Sequence, residues 1–152
     1  MEDSLLIALQ KAKHYCAYQE RCHKEVREKL YSFQLYKKQV EQLITELIEE
    51  GFLNEERFAL AFARGKFSLK KWGREKIKYE LKQRQVSEYC IKKALASIDA
   101  SAYNKTFLAV AAAKLKTLTS EKNIFIKKQK TKAFLQQKGF ELKMIYAFLN
   151  DL

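Results

Sequence analysis

The densest chemistry in this sequence is positive charge. Lys66, Lys70, Lys71, Arg74, Lys76 and Lys78 place six cations around Trp72 within 13 residues. Arg64, Lys82 and Arg84 extend the run on either side, and Lys127, Lys128, Lys130 and Lys132 form a second group. Ammonium and guanidinium groups at this density suit a polyanion. Each phosphate they neutralise releases counterions, so such binding weakens as salt rises. Trp72 beside these charges either stacks on a base or packs between helices, and packing is the commoner fate of a tryptophan. The plainer alternative for the lysines is a solvated helical face. Four lysines in six residues spread around most of a helix, so only part of the second group can face one phosphate backbone.

Other reactive side chains do not assemble into a site. His14, Cys16, Cys22 and His23 are close in sequence, but zinc needs four ligands converging at about 2.0–2.3 Å. His14 and Cys16, two apart on a helix, diverge by roughly 200°. These residues are expected to pack, not to bind metal. Glu55 and Glu56 fall in the first turn of a helix, where negative charge complements the helix dipole. No nucleophile–base pair or phosphate-cradling glycine loop is visible, so neither catalytic residues nor a cofactor are expected.

Composition narrows the setting. The 152 residues carry a net charge of +12, from 30 basic and 18 acidic residues, with 47% hydrophobic. That is ample apolar material for a core, and the basic excess points to a polyanionic or acidic partner. Three cysteines, an odd number, argue against a disulfide framework and for a reduced, cytoplasmic protein. Apolar runs fall short of the roughly 18 residues of a membrane span. The acidic start MEDSLLIALQ is unlike a secretory signal.

The elements that must position these charges come from an internal repeat. Val26, Leu30, Leu35, Val40 and Ile44 recur 51 residues later as Ile77, Leu81, Val86, Ile91 and Leu95. Another 54 residues on stand Thr131, Leu135, Phe140, Ile145 and Leu149. The spacings of 4, 5, 5 and 4 describe a helix, a tight corner and a second helix. The second gap of five is a hydrophobic staple across a cap, as Val86 and Ile91 around Ser87. A leading helix precedes each pair, near Ile7, Phe58 and Phe107, with Asp3 or Ser4 capping the first. The expectation is an all-α, elongated array of three tandem three-helix repeats at 1–53, 54–98 and 99–152. Within the first, helices are expected over Cys22 to about Phe33 and about Lys37 to Glu50. Gly51 ends the latter with Phe52 folding back near Leu47, and Asn54 caps the next helix. Thr117 to Asn123 is read as a loop.

The corner residue before each stapling position is Gln34, Gln85 and Gly139. Glycine suits a positive φ. The glutamines imply either a different turn or about 1 kcal/mol of left-handed strain each. Charge divides unevenly over the three repeats. The first holds 8 basic and 9 acidic residues, the second 12 and 5, the third 10 and 4.

The stretch GFLNEERFALAFAR followed by WGREKIKYELKQRQVSEYCIKKAL resembles the core signature of the RecX family. Gly73, Ile77, Glu80 and Leu81 match its Gly-x-x-x-Ile-x-x-Glu-Leu core, and Asn54, Glu55, Glu56, Arg57, Phe58 and Ala59 its acidic Arg-Phe-Ala segment. Leu135, Gly139, Phe140 and Ile145 fit near the C-terminus, and Arg21 and Leu30 near the start. Asn54 and Gln85 depart from the family's usual aspartate and glycine. The resemblance implies an elongated all-helical protein that binds the RecA–DNA filament in the groove between protomers. Such proteins limit filament growth and inhibit strand exchange, ATP hydrolysis and repressor coproteolysis. On that view the partners are the RecA filament and single- or double-stranded DNA, with no membrane, and the protein is a monomer. Arg64, Lys66, Lys70, Lys71, Trp72, Arg74, Lys78, Lys82, Arg84, Lys127, Lys128, Lys130 and Lys132 then become contacts to DNA or filament. Two other readings stand beside it. One is an autonomous helix-turn-helix-like DNA-binding protein, reading bases from helices beginning at Ser87 or Glu141. The other is a basic helical adaptor for an acidic protein.

Overall fold

The computed structural model describes residues 2–152, and all regular structure among them is α-helical. The helices are α1 (Glu2–Tyr18), α2 (His23–Tyr31), α3 (Lys37–Glu49), α4 (Glu55–Lys70), α5 (Arg74–Gln83), α6 (Glu88–Ala96), α7 (Ala100–Lys116), α8 (Ile124–Lys138) and α9 (Leu142–Asn150). α1 already begins at Glu2, so Asp3 and Ser4 lie in its first turn and not at its cap, and Asp3 there complements the helix dipole. α7 begins at Ala100, a full two turns before Phe107. Asp99 makes that start, its carboxylate accepting from the Ala102 N–H at 2.9 Å. The expected loop at 117–123 is present.

Two compact units emerge, one of residues 1–61 with 81–93 and the other of 62–80 with 94–152. The first is nearly neutral, with 13 basic and 12 acidic residues. The second holds 17 basic against 6 acidic, a net +11.

The first unit is built on the apolar faces of α1, α2 and α3. Ala8, Leu9, Ala12, Val26, Leu30, Val40, Leu43, Ile44, Leu47 and Leu53 are buried together, with Tyr15, Phe33, Leu35 and Phe52 packed at the margin. α3 stops where Gly51 turns left-handed, at φ +78°, and the Phe52 N–H returns to the Leu47 carbonyl at 2.9 Å. That is the expected glycine ending. Asn54 then caps α4, its side-chain oxygen accepting from the Arg57 N–H at 2.8 Å. Glu55 in turn reaches the Ser87 N–H at 2.6 Å, closing the start of α6.

The core of the second unit is aromatic. Tyr103 and Phe107 on α7 meet Phe140, with ring centroids 5.6 and 5.2 Å apart, and Phe67 and Phe148 extend the stack. Tyr103, Phe107 and Phe140 are essentially solvent-free. Such rings bring large apolar area and preferred edge geometries. Thr131, the polar member of the repeat, is fully buried. Its hydroxyl donates to the Lys127 carbonyl one turn back at 2.8 Å, which satisfies it without a partner from elsewhere.

All fifteen repeat positions face inward, Leu35 and Leu95 partly and the other thirteen fully. Gln34 and Gln85 are left-handed, at φ +62° and +61°, as is Gly139 at +97°. The glutamines thus make the same turn as the glycine and bear its strain.

Candidate polyanion-binding site

The site grows from the end of α4. Lys71 is left-handed, at φ +58°, which turns the Trp72 N–H back onto the Lys66 carbonyl at 3.2 Å. The strained position here is held by a lysine and not by a glycine. α5 starts directly afterwards, and its first N–H groups have no partner within their own helix. They find one in α8. The Gly73 N–H donates to the Lys138 carbonyl at 2.8 Å, and the Glu75 N–H to the Gly139 carbonyl at 2.9 Å.

This backbone-to-backbone contact admits no side chain. A Cβ on Gly73 would lie 2.3 Å from the Gly139 carbonyl carbon and 2.4 Å from the Phe140 nitrogen. A Cβ on Gly139 would lie 2.3 Å from that of Lys76 and 2.6 Å from its backbone nitrogen. The contact therefore pins the start of α5 against the corner between α8 and α9.

Arg74 belongs to the frame of this junction. Its backbone N–H donates to the Tyr103 hydroxyl at 2.9 Å, and that hydroxyl donates to Glu141. The Arg74 guanidinium is 3.0 Å from the other Glu141 oxygen and lies over the Tyr103 ring, 3.8 Å from its centroid. Burial raises the Tyr103 pKa well above that of an ordinary phenol, and the hydrogen bond to Glu141 adds to the rise. A phosphate reaching Arg74 would have to compete with this carboxylate.

The lysines gather around that frame. Trp72 is half-buried, with the Lys66 and Lys76 ammoniums 5.1 and 4.6 Å from its ring and Phe62 edge-on at 6.3 Å. The cation–ring attraction is worth about 0.5–1 kcal/mol each at such sites. Lys71 donates to the Ser68 carbonyl at 2.8 Å, and Lys138 to the Lys70 carbonyl at 2.6 Å. The Lys138 ammonium is held below the usual lysine pKa, first by partial burial and then by repulsion from Lys76, Lys70 and Lys71. Four ammoniums thus share one neighbourhood at the end of α4.

The other sequence-derived residues fall elsewhere. Arg64 and Lys78 are exposed on α4 and α5. Lys82 and Arg84 belong to the first unit, where Arg84 lines a recess of about 210 Å³ with His23, Lys24, Arg27 and Glu55. Of the second lysine group, Lys127 and Lys128 are partly buried, Lys130 is 4.0 Å from Glu121, and Lys132 lies over the Tyr146 ring at 5.0 Å. Lys138 escaped sequence reading, because 68 residues separate it from the carbonyl it meets. Its place just before the corner glycine was the available signal.

Cys16 and Cys22 are buried thiols, and burial pushes the Cys22 pKa up to about 11. His23 is 3.9 Å from Glu55. Burial lowers its pKa, while Glu55 works to raise it. Both candidate base-reading helices carry a carboxylate at their start, Glu55 at the Ser87 N–H and Glu141 at α9. Carboxylates there repel a phosphate backbone, which weighs against the helix-turn-helix reading.

Comparison with known proteins completes the picture. The family model for the second three-helix domain of RecX matches residues 54–95, and that for the third three-helix domain matches residues 104–149. The regulatory protein RecX of Streptococcus uberis is 30% identical over 88 residues, which are 58% of this chain and 34% of that protein. The one from Clostridium perfringens strain 13 is 31% identical over 122 residues, 80% of this chain and 57% of its own length. The chain thus spans about a third to three fifths of these relatives. A crystal structure of RecX from Lactobacillus salivarius superposes with a TM-score of 0.86 at 24% identity, covering 100% of this chain and 98% of that one. That likeness shows the fold.

Proposed function

Since this chain belongs to the RecX family, we propose that it regulates the RecA recombinase by binding the RecA–DNA filament. In this reading it acts without chemistry of its own, as a cytoplasmic monomer of three tandem three-helix repeats at 1–53, 54–98 and 99–152. Its basic face touches phosphates. The protein limits filament growth and so inhibits strand exchange, ATP hydrolysis and repressor coproteolysis. The observation that supports it most is the gathering of charge: net +11 in one compact unit against +1 in the other. A filament of protein and DNA offers phosphates and acidic surface to such a unit, and attraction of this kind speeds association.

The test adds the purified protein to RecA on single-stranded DNA and follows ATP hydrolysis and strand exchange. Inhibition well below one molecule per RecA protomer is expected. No effect at equimolar protein would refute the reading.

A further inference from the structure

We infer that the junction between α4 and α5 is a phosphodiester-binding site, made by Lys70, Lys71 and Lys76 together with Lys138 from α8. It takes the backbone of a nucleic acid without stacking its bases. The inference deepens the proposed function, because it states where in the basic unit the phosphates bind.

Two independent observations meet at this junction. The first is backbone strain. Lys71 occupies a left-handed position, where a Cβ crowds the following carbonyl. Gln34 and Gln85 bear like strain at corners of the repeat, whereas Lys71 lies outside those corners. The second is crowding of like charge. The Lys138 ammonium reaches the Lys70 carbonyl at 2.6 Å, the Lys71 ammonium the Ser68 carbonyl at 2.8 Å, and Lys76 packs against Gly139 beside Lys138, and among these four the described structure holds no ion pair with a carboxylate. Bonds to the Ser68 and Lys70 carbonyls explain where two ammoniums point. They do not explain why a lysine occupies a strained position, nor why Lys70 and Lys76 join them. A bound phosphate relieves the repulsion and turns the strained lysine to use. Strain at a surface position is often kept for binding.

Glu141 is engaged by Arg74 and Tyr103, and Glu75 is exposed in the first turn of α5. Trp72 is a positioning residue. The Lys66 and Lys76 ammoniums lie 5.1 and 4.6 Å from its ring centre and Phe62 packs at an edge angle, so it holds lysines that compete with a base for the ring.

The chain's one tryptophan therefore reports on the site directly. Full-length protein is titrated with a single-stranded oligonucleotide while Trp72 emission is followed at several salt concentrations. Four phosphate contacts to a single strand predict a slope of log K against log salt of about −2.8. Each of Lys71→Gly, Lys70→Gln and Lys138→Gln should reduce its magnitude by about 0.7. Lys71→Gly should also melt no lower than the parent, since glycine removes the strain. An abasic oligonucleotide should bind within about twofold of the normal one.

Parental affinity and slope in all three variants would overturn the site. Loss of both melting temperature and affinity in Lys71→Gly would assign that lysine to helix capping and overturn its role. Much weaker binding of the abasic strand would restore base stacking on Trp72 and overturn the backbone-only clause. Equal competition by poly-glutamate would replace nucleic acid with an acidic protein. The same variants are scored for inhibition of RecA ATP hydrolysis. A parent that binds oligonucleotide through these lysines but leaves RecA unaffected would sink the proposed function and spare the site. Inhibition that persists when oligonucleotide affinity never depended on them would do the reverse.

Discussion

The corner at Gln85 and the corner at Gly139 hold the same place in the repeat and the same left-handed backbone, at φ +61° and +97°. In both, the residue after the corner returns its N–H to a carbonyl five residues back, Val86 to Leu81 and Phe140 to Leu135, at 3.1 Å. What differs is the surroundings. Gln85 is exposed, so its side chain needs only to tolerate the backbone. Gly139 is buried under α5, with Lys76 where a side chain would be. The glycine is required by the close approach of two backbones, and the turn alone would have accepted glutamine. The basic unit therefore carries a rigid glycine-on-glycine joint that the Gln85 corner lacks, and the lysine site is built beside it.

The strongest way to break this comparison is to put the same side chain at both corners. Gly139→Ala is expected to lose about 2–4 kcal/mol, from overpacking and left-handed strain together. Gln85→Ala, exposed and already left-handed, should change stability by less than about 0.5 kcal/mol. Urea unfolding of the two variants decides it, and a Gly139→Ala loss no larger than the roughly 1–2 kcal/mol of left-handed strain would show that turn geometry alone explains the glycine. Gly73→Ala, on the opposite side of the joint and without left-handed strain, should lose only the overpacking part, about 1–3 kcal/mol.

Next in size is the frame of the joint. Tyr103→Phe removes the hydroxyl that accepts from Arg74 and donates to Glu141, at a loss of about 1–3 kcal/mol. It also has a pH signature. The folded-state pKa of Tyr103 is raised above the ordinary phenol value, which is about 10. Its contribution is complete below that pH and is lost as pH rises beyond it. The stability gap between parent and Tyr103→Phe should therefore narrow above about pH 10. A gap independent of pH would deny the buried phenol its role.

The opposite corner predicts a gain. Gln85→Gly relieves left-handed strain without touching a neighbour, and should stabilise by about 0.5–1 kcal/mol. A lower melting temperature would show that the glutamine side chain matters. The smallest effect is acidic. Burial depresses the folded-state pKa of His23 below its usual value of about 6.5. Its neutral form favours folding above that pH, and this is lost as pH falls through it. His23→Gln should flatten that part of the curve, and an unchanged acid limb would place the effect elsewhere.

Much of the fold was legible because it rests on local rules. Gly51 ends α3, Asn54 caps α4, and fifteen apolar or small positions at 4-5-5-4 spacing face inward. The early start of α7 was missed although Asp99 offers a cap and Tyr103 stands one turn before Phe107. Of the site, Lys66, Lys70, Lys71, Lys76 and Trp72 were legible as a cluster. Arg74 read as one more cation, and only its pairing with Glu141 and Tyr103 makes it part of the frame. Lys138 carried one signal only, its place just before the corner glycine, and the carbonyl it meets lies 68 residues away.

By itself, the sequence determined most of the helices, the ending at Gly51 and the cap at Asn54, the repeat and the excess of charge, since each follows from residues a few positions apart. Tertiary structure alone decided why Gly139 must be glycine, which cations are free and which are tied, and that Lys138 joins Lys70. The reason is physical: a cap or a staple closes over three to five residues, whereas steric exclusion and like-charge repulsion act wherever folding brings atoms together.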